Sequence, residues 1–413
     1  MLSKKTKKRI LRFPHDFLWG TATAAHQVEG GNYNDWSEWE QSGGRLDVLR
    51  DKKLDVEDFI SGRACDSYNH WEEDLKLVKD LNCKAYRFSI EWSRIEPEEG
   101  VWNEKEIRHY REILRSLRKK NIKSFVTLWH WTNPVWAVKD GGWGDKKIVK
   151  RFGSFVEKIV DELGSEIDFF VTLNEPLMHI AHGYWTGKFP PNHKKDIFGS
   201  IKVFNNLVGA HRLAYKIIHK NIENAKVGLA MTSGYFHAAH KYCLIEKIIV
   251  KIAHYFRNEI FIRKTKGAHD FIGVNYYHHD RIVFYPPFKK NKNKIVSDFG
   301  WEIYPEGIYY VLKNYARYKK PIYILENGVA DRDDHLRKDF IGDHLKYVYK
   351  ALRDGVDVRG YFYWSLLDNF EWADGYGMKF GLYEVNRKNF TRKARPSADY
   401  YKEVCKNNGI EVD

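Results

Sequence analysis

The sequence of 413 residues predicts an α/β protein in which eight parallel strands, each followed by a helix, close into a barrel. Two observations support this fold class. Short apolar runs rich in β-branched and aromatic residues recur at wide intervals, and stretches with apolar residues three and four positions apart lie between them. The runs are apolar throughout, which is typical of parallel strands that are covered on both faces.

The elements follow one another in a regular order. The predicted strands are Phe17–Thr23, Ala85–Ile90, Ser124–Trp129, Phe169–Asn174, Val227–Met231, Phe271–Tyr277, Ile322–Glu326 and Gly360–Leu366. The predicted helices are Trp71–Leu81, Ile107–Leu117, Ile148–Leu163, Val203–His219, Ile245–Ile262, Ile308–Tyr318, Phe340–Leu352 and Tyr400–Cys405. A doubly wound open sheet is the alternative, but no Gly-x-Gly-x-x-Gly pattern follows the first strand. Because no repeat or linker divides the chain, we expect one (β/α)8 TIM-barrel domain over residues 13–413 after a basic tail over residues 1–12.

Composition and charge exclude several classes of protein. The formal net charge is +14, but the basic residues are spread along the chain without a nucleic-acid-binding module, so we expect a basic solvated surface and no nucleic-acid partner. No apolar run reaches about 18 residues, so no membrane span is expected. The four cysteines are widely separated, lack the spacing of a metal site and follow no export signal, which predicts a cytoplasmic protein.

Two glutamates stand where predicted strands end. Glu175 follows the run that ends at Asn174, and Glu326 ends the run that begins at Ile322. A barrel brings the C-terminal ends of its strands together on the face that carries the active site. Other polar and aromatic residues at the same strand ends are Gln27, Arg87, His130, Asn275, Tyr277 and Trp364. A pair of carboxylates is the minimum equipment for cleaving a glycosidic bond, with one as proton donor and the other as nucleophile or base.

Nine segments in a fixed order extend this argument. They are Phe17–Thr23, Gln27–Gly30, Tyr86–Ser89, Trp92–Arg94, Thr127–Trp131, Thr172–Pro176, Asp270–Tyr277, Glu326–Gly328 and Trp364–Trp372. In these segments the chain resembles glycoside hydrolase family 1, the β-glucosidase and β-galactosidase family. The segments occur in the family's order and cover nearly the entire chain.

The resemblance implies a role for each matched residue. It implies that Glu175 is the general acid/base, that Glu326 is the nucleophile, and that Arg87, Tyr277 and Asn174 assist them. The substrate contacts that it implies are Gln27, His130, Trp131, Asn275, Trp301, Trp364, Glu371, Trp372 and Phe380. In a retaining mechanism the two carboxyl groups stand about 5–5.5 Å apart, so the charge of the nucleophile keeps the acid protonated near neutral pH.

The function expected from this resemblance is retaining, exo-acting hydrolysis of terminal β-D-glucosyl residues, together with β-D-galactosyl and β-D-fucosyl residues. A transglycosylating enzyme and a 6-phospho-β-glycosidase are the alternatives, although a carboxylate at Glu371 would repel a 6-phosphate. A non-catalytic binding module is disfavoured because both glutamates are present. No cofactor or metal is expected. The run His278–Asp280 contains residue types that bind metals, but the sequence places no third ligand beside it.

The chain departs from the family pattern in its length. The shortfall lies mainly at Thr232–His269, and the segment His278–Asp298 is also brief. Both segments shape the leaving-group side of the site, so we expect a shallower and more open entrance. The oligomeric state and the preferred aglycone are not predicted by the sequence.

Overall fold

Eight parallel strands form a closed barrel in the computed structural model, which describes residues 9–290 and 292–412. The barrel strands are β2 (Leu18–Ala22), β3 (Ala85–Ser89), β4 (Lys123–Trp129), β5 (Phe169–Asn174), β6 (Val227–Ala238), β7 (Ile272–Ile282), β8 (Ile322–Asn327) and β9 (Val358–Trp364). Outside the barrel, β1 (Arg9–Arg12) pairs with β12 (Gly409–Val412), and β10 (Tyr383–Val385) pairs with β11 (Arg392–Ala394). Strands β2 to β9 pair in chain order, and β9 pairs with β2 to close the barrel. The predicted fold class is therefore confirmed.

The helices lie between the strands, as predicted. They are α1 (Ala25–Val28), α2 (Asp35–Glu40), α3 (Gly43–Asp51), α4 (Ser67–Asp80), α5 (Trp92–Ile95), α6 (Glu104–Lys119), α7 (Val135–Lys139), α8 (Lys147–Leu163), α9 (Pro176–Ile180), α10 (Ile197–Asn221), α11 (Leu244–His254), α12 (Ile260–Lys264), α13 (Glu306–Ala316), α14 (Arg337–Arg353) and α15 (Pro396–Asn407). Two π-helical turns interrupt this pattern, at Ala181–Thr186 and Tyr255–Glu259. Within the described ranges, no helix combines the length and the apolar character that crossing a membrane requires.

Helix α6 shows how local sequence sets a helix and its packing face. Asn103 caps its first turn by accepting hydrogen bonds from the backbone N–H groups of Lys105 and Glu106. Its buried residues include Ile107, Tyr110, Leu114 and Leu117, a spacing of three and four that places them on one side of the helix. That side packs on the outer surface of the barrel, chiefly near β4 and the neighbouring helices.

The inside of the barrel is filled by aromatic side chains. Phe125 on β4 stacks on Phe169 at the start of β5 with ring centroids 4.0 Å apart. Three further rings pack edge-to-face against this pair with centroid distances of up to 6.1 Å, and they belong to Phe271, Tyr323 and Phe362. The interior of the barrel is therefore a packed core, and a cavity can form only at the C-terminal ends of the strands.

Strands β6 and β7 are longer than predicted. Their pairing continues from Ala230 opposite Gly273 to Ala238 opposite Ile282, whereas the predicted strands end at Met231 and Tyr277. The apolar runs stop at the predicted ends, and the extension carries His, Tyr and Asp instead. Each extension is stabilised by pairing with the other, so the two strands project beyond the barrel on the face formed by the C-terminal strand ends.

The assignment of residues 9–12 to a tail is wrong. They form β1, which pairs antiparallel with β12 so that Arg9 stands opposite Val412 and Arg12 opposite Gly409. Local sequence gives no sign of this pairing, because the partner strand lies at the other end of the chain. Residues 1–8 lie outside the described residues, and the single domain over residues 13–413 stays a prediction. The short hairpin of β10 and β11 was also not predicted.

Candidate active site

A cavity of about 740 Å³ opens at the C-terminal ends of the barrel strands. Most residues that the sequence analysis proposed for the site line this cavity. They are Gln27, His130, Trp131, Asn174, Glu175, Tyr277, Trp301, Glu326, Trp364, Glu371, Trp372 and Phe380. The two others, Arg87 and Asn275, are fully buried behind the cavity wall, where they bond to Asn174 and the glutamates. The sequence predicted a substrate contact for Asn275, but its side chain donates to Asn174 and Glu175 and does not line the cavity.

Glu326 is fixed through both of its carboxylate oxygens. Arg87 on β3 donates from Nη1 to Oε1 at 2.5 Å, and the Tyr277 hydroxyl on β7 donates to Oε2 at 2.6 Å. Burial, and then the negative charge of Glu326, raise the pKa of Tyr277 well above its usual value, so this hydroxyl stays a donor. A buried guanidinium and a phenol hydroxyl, one on each carboxylate oxygen, together hold Glu326 in one orientation.

Glu175 lies one residue beyond β5, at the start of α9. Its backbone is left-handed, with φ at 45°, and Pro176 begins the helix. The Asn275 side-chain amide donates to Glu175 Oε1 at 2.9 Å. Burial, and then the charge of Glu326, raise the pKa of Glu175 to about 7. The site therefore holds one carboxylate fixed as an anion and one carboxyl group that keeps its proton up to neutral pH.

One hydrogen-bonded network links the two glutamates. Asn174 Oδ1 accepts from Arg87 Nη2 at 2.7 Å and from Asn275 Nδ2 at 3.1 Å. Arg87 in turn donates to Glu326, and Asn275 to Glu175. Three side chains on three strands thus connect the carboxyl groups, and moving any one of them disturbs both.

The network also sets the protonation of His130. Because Asn174 Oδ1 accepts twice, its Nδ2 donates to His130 Nε2, at 3.0 Å, and the ring proton lies on Nδ1. Burial and the nearby Arg87 lower the pKa of His130 well below its usual value, so the ring is neutral. His130 Nδ1 is buried and has no hydrogen-bond partner among residues 9–290 and 292–412, which leaves it ready to donate to a ligand.

Gln27 and Glu371 offer further polar groups where β2 and β9 meet. Gln27 donates from Nε2 to Asn369 Oδ1 at 3.0 Å and to the Phe370 carbonyl at 2.8 Å. Its Oε1 is buried and unpaired within the described part of the chain, as a free acceptor. Burial, and then the charges of Asp374 and Glu326, raise the pKa of Glu371 well above its usual value. Glu371 therefore holds its proton more tightly than a solvated glutamate does.

Aromatic rings complete the walls. Trp364 and Phe380 are almost fully buried, and Trp364 stacks with His130 at 6.2 Å. Trp131 donates from its indole nitrogen to the Asn174 carbonyl at 3.0 Å, so it supports the network as well as lining the cavity. Trp301 stacks on Phe299 at 4.4 Å on the β7–β8 side. A flat apolar wall beside unpaired polar groups suits a ligand with one apolar face and many hydroxyl groups.

Several lining residues were not found from the sequence. They are Met178, His182, Lys188, Phe189, Arg257 and Phe299. Arg257 falls inside the predicted helix Ile245–Ile262, where a charged residue indicates only a solvated face. The π-helical turn Tyr255–Glu259 places it in the cavity wall instead, and no local pattern announces such a turn.

Comparison with known proteins places this geometry in context. The profile of Glycosyl hydrolase family 1 matches residues 10–248 and 252–410. "Beta-glucosidase A" of Thermotoga maritima is 33% identical to the chain, with 97% of this chain and 99% of that protein covered. The corresponding values for a "Beta-galactosidase" of Pyrococcus woesei are 31%, 96% and 98%. That second alignment extends over 512 positions, so the chain is markedly shorter than this relative.

Solved structures give the same picture. A β-glucosidase from Thermotoga maritima in complex with glucoimidazole superposes with a TM-score of 0.90 at 32% identity, covering 97% of this chain and 100% of that one. A β-glycosidase from Pyrococcus horikoshii superposes with a TM-score of 0.89 at 37% identity, covering 98% and 97%.

Proposed function

The chain belongs to glycosyl hydrolase family 1, a family of retaining glycosidases, and we propose that it removes terminal β-D-glucosyl residues from β-glycosides, and β-D-galactosyl and β-D-fucosyl residues as well. The observation that carries the proposal is the network that joins Glu175 to Glu326. It supplies a protonated acid and an oriented anion in the same cavity. The relatives named as a glucosidase and a galactosidase support the choice of the glucosyl and galactosyl groups.

In the first step Glu326 attacks the anomeric carbon while Glu175 gives its proton to the glycosidic oxygen. The bond from the anomeric carbon to that oxygen breaks, the aglycone leaves as a neutral alcohol, and the sugar becomes an ester of Glu326. Asn174 and His130 lie beside the anion and donate to the sugar hydroxyls, contacts that strengthen as charge develops at the anomeric carbon.

In the second step water replaces the aglycone. Esterification removes the charge of Glu326, which is one of the two main causes of the raised pKa of Glu175. Glu175 is then a carboxylate and takes a proton from the attacking water. Attack from the side that the aglycone left restores the β configuration and frees Glu326.

Transglycosylation uses the same intermediate and is a second candidate activity. If an alcohol or sugar reaches the ester before water does, a new glycoside forms. The fraction of p-nitrophenyl β-D-glucoside converted to methyl glucoside in the presence of methanol measures this partition directly.

A 6-phospho-β-glycosidase is disfavoured by where two nearby residues lie. Tyr376 and Lys379 are close to Glu371 in the sequence and are of residue types that could bind a phosphate. The Tyr376 hydroxyl donates to the Ser61 carbonyl at 2.5 Å, and neither residue lines the cavity. The raised pKa of Glu371 weakens the expected repulsion of a phosphate, so the absence of both side chains from the cavity lining is the observation that disfavours this class of substrate.

The test is hydrolysis of p-nitrophenyl β-D-glucoside, β-D-galactoside and 6-phospho-β-D-glucoside by the native protein, by Glu326→Ala, and by the exposed control Glu384→Ala. We expect turnover of the two unphosphorylated glycosides by the native protein and the control, and loss in Glu326→Ala. Turnover of the phosphorylated glycoside alone would overturn the proposed substrate class, and full activity of Glu326→Ala would overturn the mechanism.

We also propose a reducing, cytoplasmic location. All four cysteines are free, and three of them are buried. Buried free thiols are typical of proteins that remain in a reducing compartment.

A further inference from the structure

Arg257 is a cation in the cavity wall that forms no salt bridge with any residue that the structure describes. It lies on the π-helical turn Tyr255–Glu259, lines the cavity and is partly buried, and its Nε is shielded from solvent. Throughout residues 9–290 and 292–412, no side chain or carbonyl accepts a hydrogen bond from its guanidinium, and no carboxylate forms an ion pair with it. A guanidinium carries five donors and keeps its charge, so leaving it unpaired in a partly dry wall costs free energy that a bound anion would recover.

The other charges of this wall are largely satisfied. Lys188 pairs with Asp374 at 2.9 Å, Lys289 with Asp280 at 3.5 Å, and Arg281 with Glu302. Each carboxylate of these pairs already has its cation. The carboxylates of these three pairs therefore contact other cations, and none of them forms a salt bridge with Arg257.

Two histidines beside Arg257 add neutral hydrogen-bonding groups. Burial and the nearby Lys188 and Arg257 lower the pKa of His182 to about 4. Burial, Arg257 and Lys289 lower the pKa of His278 to about 3. Both rings are uncharged at neutral pH, so they can donate to an anion without requiring a proton.

The barrel topology puts Arg257 on the leaving-group side. Gln27 and Glu371 follow β2 and β9, which are neighbours in the closed barrel. Arg257 lies between β6 and β7, on the far side of the barrel from that pair, and its charge acts on the proton donor Glu175. A sugar held by Gln27 and Glu371 therefore directs its aglycone toward Arg257.

We propose that Arg257 anchors a subsite for aglycones that carry a carboxylate. The inference rests on the proposed β-glycosidase function and adds the chemical class of its leaving group. The planar guanidinium fork matches the two oxygens of a carboxylate. The enzyme then favours β-glucosides whose aromatic or aliphatic aglycone carries a free carboxylate over neutral β-glucosides of the same shape.

A pair of nearly isosteric substrates tests this proposal: 4-carboxyphenyl and 4-carbamoylphenyl β-D-glucoside. The measured quantity is the ratio of their kcat/KM values in the native protein, in Arg257→Met and in Arg257→Lys. The comparison between proteins cancels the intrinsic difference between the two leaving groups. Arg263→Met is the matched control, because it removes the same charge from the same segment at an exposed position.

We expect Arg257→Met to lower the carboxylate-to-amide ratio about tenfold, mainly through KM of the carboxylate substrate, since a charge-assisted hydrogen bond is lost. Arg257→Lys should retain part of the ratio and Arg263→Met all of it. A merely structural role would slow both substrates equally and leave the ratio unchanged, and that outcome overturns the inference while the proposed function stands. Arg257→Gln is measured in the same way should Arg257→Met not fold. If the native protein hydrolyses neither glucoside nor p-nitrophenyl β-D-glucoside, the proposed function fails and this inference with it.

Discussion

At the scale of single residues, the candidate site is built on unusual backbone. Glu175, Trp131 and Trp372 have φ values of 45°, 74° and 51°, in the left-handed region that residues other than glycine rarely occupy. Such conformations cost about 1–3 kcal/mol each and persist where the surrounding structure enforces them. All three line the cavity, and Trp131 and Glu175 do so directly beyond the ends of β4 and β5.

The protonation of Glu175 gives a pH-dependence. Its pKa is raised to about 7, so the acid carries its proton below that pH and loses it above. We expect kcat/KM for phenyl β-D-glucoside, whose leaving group needs protonation, to fall as pH rises through about 7. In Glu175→Gln this basic limb should disappear and the rate should drop by about 10²- to 10⁴-fold. An unchanged basic limb in that variant would show that another group provides the proton.

At the scale of elements, close packing between a helix and a strand fixes the wall of the site. Helix α13 approaches β7 so closely that the Tyr276 hydroxyl, which donates to the Tyr304 carbonyl at 2.8 Å, lies against Gly307. A Cβ at Gly307 would stand 1.9 Å from that hydroxyl. Since β7 carries Tyr277 as its next residue, this contact helps to position the donor to Glu326.

Gly307→Ala tests this packing. Alanine favours helices over glycine, yet we expect the substitution to destabilise the protein by about 1–3 kcal/mol because the added methyl group overpacks the contact. The control is Gly44→Ala, at the second position of α3, where a Cβ would meet nothing within 4 Å. That variant should gain about 0.5–1 kcal/mol from helix propensity. Urea unfolding measures both, and equal effects on the two would contradict the close approach.

At the scale of the whole molecule, the first and last strands that the structure describes pair on the side of the barrel away from the cavity. Strands β1 and β12 pair, and the Trp19 indole donates to Asn408 Oδ1 at 2.8 Å next to the start of β2. Ile410 on β12 is 1% exposed within this junction. The closure of the barrel is thus reinforced by a contact between residues that are almost the full length of the chain apart.

Ile410→Ala should lower the free energy of unfolding by about 2–5 kcal/mol, since it removes a buried side chain and leaves a cavity. The kcat/KM of the folded protein should not change, because Ile410 lies at the opposite end of the barrel from Glu175 and Glu326. Ile252→Ala, at a position that is 51% exposed, is the control and should shift the urea midpoint very little. A loss of activity in folded Ile410→Ala would contradict this separation of stability from function.

The sequence by itself determined the barrel and the two glutamates. Apolar runs and helical spacing are local signals, and the C-terminal ends of parallel barrel strands lie on one face, so the sequence alone predicts that Glu175 and Glu326 share one site. The tertiary structure decided the burial that is the first cause of the raised pKa of Glu175, and the carboxylate oxygens of Glu326 to which Arg87 and Tyr277 donate. It also decided the pairing of β1 with β12, the extension of β6 and β7, and the position of Arg257. Each of these depends on a partner or a backbone irregularity that residue type and spacing do not encode.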